Sequence, residues 1–368
     1  MKVILDRNEF QRVLARMQGV VEKRSTYPIL SHILLTTKEN EISIEATDLQ
    51  LGIRETMKAQ IGEGGRMCLP ARKLYDIVRE LPPEQVQIES GDNFWARLRC
   101  GSVSLELPGV DPSDFPALPE GGKAAISLPN TQLKDMLEKV IFATSSQESP
   151  LNLHGVLFEF LDKGGLRYLR MVATDGHRLA LIDSEVKGTG SNEQLILPKR
   201  GLAEVRRVLT EDGEVEIYLG ENVVKFVDGK RLVSIRLLEG QFPDYKHVVP
   251  KDLEKRVIVD RREFLASLKR ADILASEKGE GVKFKIESDK MELKAGGADV
   301  GQIVEEVAVQ YRGDAISIIF NSRYLIDALT VMESDQVIFE LRDEESAGLL
   351  RPEGDKDYLY LVMPMKMT

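Results

Sequence analysis

Apolar positions near the start of the chain fall on a helical period. Phe10, Val13, Leu14 and Met17 form an i, i+3, i+4, i+7 stripe. Leu133, Met136, Leu137 and Val140 repeat it 123 residues later, and Phe264, Leu268 and Ala271 repeat it again, with Ser267 interrupting. Three segments carry these stripes: "VILDRNEFQRVLARM" from Val3, "ISLPNTQLKDMLEKV" from Ile126 and "VIVDRREFLASLKRA" from Val257. Each predicts a short apolar strand running into a helix, the signature of an internal repeat. Asp6 with Glu9 and Asp260 with Glu263 have the spacing of a capping box, which assigns these carboxylates to helix starts and not to acid/base chemistry.

A second gap-free set follows: "LPARKLYDIVREL" from Leu69, "LPKRGLAEVRRVL" from Leu197 and "FNSRYLIDALTVM" from Phe320. It places Arg72, Arg200 and Arg323 in register, giving two helices per repeat, over 6–18, 69–81, 129–140, 197–209, 260–272 and 320–332. Between them the period changes to two. "EISIEATDLQLGI", "QVQIES", "RLRCGSVSLELP", "VEIYLG", "VVKFVDGKRLVSIRLL" and "VIFELRD" predict half-buried antiparallel strands joined by hairpins, with a turn signal at Asp228-Gly229. The Phe-Pro dipeptides in "DFPALP" and "QFPDYKHVVP" interrupt any helix and mark extended linkers. The expectation is an α+β protein of three repeats, 1–120, 121–250 and 251–368, each with two helices packed on antiparallel sheets. Repeats of about 120 residues are a usual domain length.

Charge changes this picture more than composition does. The chain carries −10, which argues against nucleic acid as a partner, yet the six helical segments together carry +6 and everything else −16. Such segregation suits a protein that attracts phosphate on one surface and repels it on others. No base-reading motif accompanies the charge, so the contacts would be to backbone phosphate. No apolar run approaches the roughly 18 residues that span a bilayer, and "MKVILDRNEF" has no signal-peptide pattern, so a cytoplasmic protein with no membrane partner is expected. Cys68 and Cys100 are expected as buried thiols.

The stretch "ATDGHRLAL" from Ala173 has the look of chemistry. Its counterparts are "ATDLQLGIR" from Ala46 and "AGGADVGQI" from Ala295, so the His177–Arg178 pair belongs to the middle repeat alone and points to a function added there. A hydrolase or transferase using Asp175, His177 and Arg178 would need a nucleophile, and no Gly-x-Ser-x-Gly elbow, phosphate-cradling glycine loop or His-Glu-x-x-His occurs. His154, His177 and His247 lack ligand spacing for a metal. No enzyme, cofactor or metal is expected.

With "TDGHRLA", "FPDY" and the terminal "YLVMPMKM" placed in a threefold repeat, the whole chain resembles the bacterial sliding clamps, the beta subunits of replicative polymerase III holoenzymes. The resemblance implies a DNA-binding processivity factor of DNA replication. A head-to-tail homodimer would close a ring of six domains, helices lining the hole and sheets outside, around double-stranded DNA of any sequence. It further implies an outer cleft that receives short linear peptides from the clamp loader, DNA polymerases and other replication or repair proteins. That cleft would use Leu153, Thr174, Gly176, His177, Arg178, Leu179, Pro243, His247, Val248, Tyr324, Leu361, Met363, Pro364 and Met365, with His177 and Arg178 orienting the peptide. DNA contacts are expected from Arg24, Arg72, Gln147, Lys199, Arg200, Arg206 and Arg207. An aromatic pair present in some relatives is replaced by Leu151 and Asn152. Ile273 and Leu274 are expected to meet Val103 and Leu105 of a second copy. A monomeric peptide-binding scaffold built from the same repeats is the alternative, separated by sedimentation.

Overall fold

The computed structural model describes residues 1–21, 27–147, 152–188, 192–250, 253–278, 281–297 and 301–366. Six α-helices occur among them: α1 (Arg7–Met17), α2 (Ala71–Glu80), α3 (Asn130–Val140), α4 (Lys199–Val208), α5 (Arg261–Lys278) and α6 (Ser322–Val331). Asp6 accepts a hydrogen bond from Glu9 N at 2.8 Å and Asp260 one from Glu263 N at 2.8 Å, so both carboxylates satisfy amide groups at a helix start. The α1 stripe is buried throughout.

α5 departs from the reading in length, continuing to Lys278 where 272 was the expected end. The polar interruption is harmless because fully buried Ser267 donates to Glu305 at 2.7 Å, and the apolar face resumes with Ala271 and Ala275. At the Asp228-Gly229 turn, Asp228 stays in its strand opposite Arg231 and Gly229 takes φ +55 as the first loop residue. The Asp228 carboxylate instead receives Thr210 N at 2.8 Å.

The chain forms two compact units: residues 1–133, 187–190 and 200–237, and residues 134–186, 191–199 and 238–368. The middle repeat contributes strands to both. The first unit holds a five-stranded and a nine-stranded sheet, the second a twelve-stranded one, with antiparallel pairing throughout the described residues. Two pairings join consecutive repeats. In the first unit Arg231–Arg236 lies against Leu51–Lys58; in the second, Tyr358–Val362 lies against Arg178–Glu185. Cys68 and Cys100 are free and buried, and burial pushes the Cys68 thiol up to about 12.

Candidate functional site

The "TDGHR" segment is a turn closed by its own side chains. Thr174 Oγ1 donates to Arg178 O at 2.6 Å and accepts from Gly176 N at 3.1 Å, while Asp175 Oδ1 accepts from His177 N at 3.0 Å and Arg178 N at 3.1 Å. These bonds force Gly176 to φ +90, where a side chain is disfavoured. The strand Arg178–Glu185 then carries Leu179 inward against Leu157, Val172, Tyr245 and Leu361.

Around this turn lies a cavity of about 210 Å³ lined by Leu153, Thr174, Gly176, Arg178, Leu179, Pro243, Asp244, Tyr245, Val248, Leu361 and Met363. Nine of the fourteen expected cleft residues are thereby brought together, and all lie within the second unit. The other five surround it less directly. His177 is exposed, with its ring stacked on Tyr324 at 6.5 Å and 18°. His247 points to solvent, with Nδ1 2.8 Å from Asp244 Oδ2. The chain end is fixed by Met363 N donating to His177 O and Met365 N donating to Ile319 O, both at 2.8 Å, with half-buried Pro364 between.

Arg178 is held by groups of the protein itself. Its guanidinium donates to Asp175 at 3.0 Å, Asp327 at 2.5 Å and Phe142 O at 2.9 Å, and packs over the Tyr324 ring at 4.5 Å. Burial alone would weaken its charge, but Tyr360 and Asp327 hold its pKa above the ordinary arginine value. Arg178 thus ties the turn to α6 and shapes the wall of the cavity.

Two lining residues, Asp244 and Tyr245, escaped the sequence reading, although both stand in the quoted "FPDY". Tyr245 is a buried anchor: its hydroxyl donates to Glu159 and accepts from Arg170 at 3.2 Å, and Arg170 holds Asp183 at 2.6 Å. Burial, then the bond to Glu159, raises the Tyr245 pKa. The linker is therefore bolted to the sheet behind the cavity.

The other expected sites are distributed as follows. Arg24 and Leu151 lie outside the described residues. Buried Asn152 donates to Glu239 O at 2.9 Å, which makes it structural. Three arginines of the first unit hold the carboxyl end of α1 and the turn that follows it, where carbonyls lack helical partners. Arg207 donates to Ala15 O and Arg16 O, Arg200 to Gly19 O and Arg72 to Val21 O. Arg200 also pairs with Asp48 at 2.5 Å, and Arg207 with Glu204. Arg206 and Gln147 are exposed and Lys199 is half-buried. Among the described residues no group of three or more His, Cys, Asp or Glu is placed to hold a metal, and no helix is long and apolar enough to cross a membrane.

Both units also have open strand edges. Val103–Pro108 ends the five-stranded sheet, and Val103 and Leu105 line a groove with Lys73, Asp76, Ile77, Glu80 and Leu81. In the second unit Gly301–Gln310 pairs along its length with Lys290–Gly297 but meets Lys255–Asp260 only at Val309 and Gln310. Along 301–308 its other side faces no strand among the described residues. Ile273 is 65% exposed and Leu274 half-buried on α5.

Repeated strand–helix units of this kind, joined edge to edge and carrying an apolar cleft beside the last strand, define a clamp-type fold. Models of the DNA polymerase III beta subunit match in three parts: the N-terminal domain at 1–119, the central domain at 127–244 and the C-terminal domain at 246–366. The beta sliding clamps of Caulobacter vibrioides and Pseudomonas aeruginosa are 34% and 33% identical over the full length of both chains. A P. aeruginosa sliding clamp solved with griselimycin bound superposes with a TM-score of 0.94 at 32% identity, covering all of both chains. The chain belongs to the DNA polymerase III beta subunit family, the beta sliding clamps.

Proposed function

We propose that this chain works as a DNA sliding clamp whose outer cleft captures short linear peptides of its partners. The observation that carries the peptide reading is the cavity around the "TDGHR" turn: nearly all apolar, rimmed by exposed Val248 and Met363, and floored by the buried cluster around Leu179 and Leu361. Such a cavity desolvates one or two apolar side chains, and methionine adapts to more than one partner. The cleft would receive the clamp loader, the replicative polymerase and repair polymerases in the cytoplasm. Griselimycin, held by the P. aeruginosa relative, is a ligand this chain is expected to share. In the test, a fluorescein-labelled peptide carrying leucine and phenylalanine is titrated against the intact chain and a chain ending at Val362, with griselimycin as competitor. Binding by the intact chain alone, displaced by griselimycin, is expected. Equal binding by both chains would end the reading.

The repeats 1–120, 121–250 and 251–368 act as three domains, and two copies close head to tail. The open edges support this closure, since an uncovered strand recruits another. Edge Val103–Pro108 of one copy would meet edge 301–308 of the next, with Ile273 and Leu274 entering the groove beside Val103 and Leu105. In the ring, Arg24, Arg72, Gln147, Lys199, Arg200, Arg206 and Arg207 would face DNA phosphates. Arg207 would do so while holding the end of α1, and Arg72 and Arg200 while holding the turn after it.

A further inference from the structure

One wall of the cleft is irregular chain. Pro243, Asp244, Tyr245 and Val248 line the cavity from the connection between the strands Arg231–Arg236 and Lys255–Asp260. The bonds within this segment are local: Lys246 N donates to Asp244 Oδ1 at 3.2 Å and Val248 N to Tyr245 O at 3.1 Å. Among the described residues, the hydrogen bonds that leave 241–250 all end on Glu159 or Arg170. The Tyr245 hydroxyl donates to Glu159 Oε2 and accepts from Arg170 Nη1 at 3.2 Å, and Lys246 Nζ donates to Glu159 Oε1 at 3.3 Å.

Both anchors belong to the sheet that floors the cleft. Ile196, Leu157, Val172 and Leu181 stand opposite one another across four neighbouring strands and supply part of the apolar floor. Two residues along, and so on the same face, Gln194, Glu159, Arg170 and Asp183 form a second row. Gln194 Nε2 donates to Glu159 Oε1 at 2.5 Å, and Arg170 holds Asp183 through two bonds at 2.6 and 2.7 Å. Tyr245 spans the two rows, its ring in the apolar cluster and its hydroxyl between Glu159 and Arg170. Glu159 is only 1% exposed. A buried charged row stabilises a fold little, because desolvation offsets most of the attraction. What it adds is direction: apolar burial holds a ring without fixing how it is turned, whereas a hydroxyl bonded on two sides fixes the segment that carries it.

We propose that Glu159 and Arg170 are positioning residues of the peptide cleft: by holding the Tyr245 hydroxyl between them they keep the 243–248 wall where an apolar side chain can enter beside it. This rests on the peptide reading above.

The experiment immobilises the full chain, unmodified or with Tyr245→Phe, Glu159→Ala or Glu159→Gln, and measures association and dissociation rates of the labelled peptide and of griselimycin by surface plasmon resonance. Tyr245→Phe keeps the ring and deletes only the hydroxyl. A wall in place for part of the time lowers the association rate by that fraction and leaves dissociation of a seated ligand unchanged. Tyr245→Phe and Glu159→Ala should each slow association about tenfold, with dissociation within about twofold of the parent. Glu159→Gln keeps an acceptor for the hydroxyl and should slow association only about threefold. A role in stability alone would lower the urea midpoint and move neither rate. Association as fast as the parent's in Tyr245→Phe, or a loss of affinity carried by faster dissociation, overturns the proposal. If Glu159→Ala does not fold, Tyr245→Phe and Glu159→Gln still decide. Failure of the unmodified chain to bind either probe would overturn the peptide reading itself, and this proposal with it.

Discussion

Arg178 shows what a short motif can and cannot disclose. Its placement after Thr-Asp-Gly marks a special turn, and the absence of the pair from the other repeats marks it as an addition. Its job is invisible locally because Asp327, its partner, lies 149 residues further on. Tyr245 was hidden for a similar reason: the buried Glu159 that holds it is 86 residues away. Replacing Arg178 by alanine would strand the Asp175 carboxylate and undo the tie to α6. The expected loss is about 3 kcal/mol of stability, measured as a fall in urea midpoint. Arg178→Lys should recover only part of it, because an ammonium cannot span Asp175, Asp327 and Phe142 O together. An unchanged midpoint for the alanine variant would show that the tie contributes nothing to the fold.

At the level of elements, period and caps disclosed most of the helices, because one face of each is buried and the other wet. Ser267 interrupts the α5 stripe, and the partner that compensates it, Glu305, comes from a distant strand. The additional turns place Ile273 on a helix with its side chain outward. Changing Ile273 and Leu274 together to aspartate should leave a folded chain that sediments as a monomer, since burial of two such side chains contributes on the order of 3–6 kcal/mol to association. A dimer of undiminished affinity would put the contact elsewhere. The strand pair Leu166–Thr174 and Arg178–Glu185 carries a pH dependence. Arg170 stands directly opposite Asp183, and Lys163 joins them. Burial would raise the Asp183 pKa, but the two cations prevail and lower it. A lowered folded value means stabilisation that is complete above the unfolded pKa, near 3.9, and lost as pH falls through the folded one. The melting temperature of the parent should therefore fall more steeply below about pH 4 than that of Asp183→Asn. Parallel curves would remove Asp183 from the acid response.

Across the whole molecule, the threefold repeat is legible because each copy must rebuild the same strand–helix core, whereas the partition into two compact units is not. That partition depends on which edges meet, Arg231–Arg236 with Leu51–Lys58 and Tyr358–Val362 with Arg178–Glu185, and sheet pairing leaves no local trace in composition. The net charge raises a separate question, namely how a chain of −10 holds a polyanion. Encirclement answers it, because a closed ring needs its basic groups only for loading and sliding, while topology supplies retention. Two measurements separate these contributions. Loaded on a circular plasmid, the parent should survive a high-salt wash that strips ordinary phosphate contacts, and should be released when one cut linearises the plasmid. The pair Arg24→Glu with Arg206→Glu should lower the amount loaded and flatten its salt dependence, without changing the half-life on the circle once loaded. Arg207 is left in place because it also donates to Ala15 O at the end of α1, so its loss would mix a folding effect with an electrostatic one. Salt-sensitive retention that is indifferent to the cut would mean that surface charge, and not a closed ring, keeps this protein on DNA.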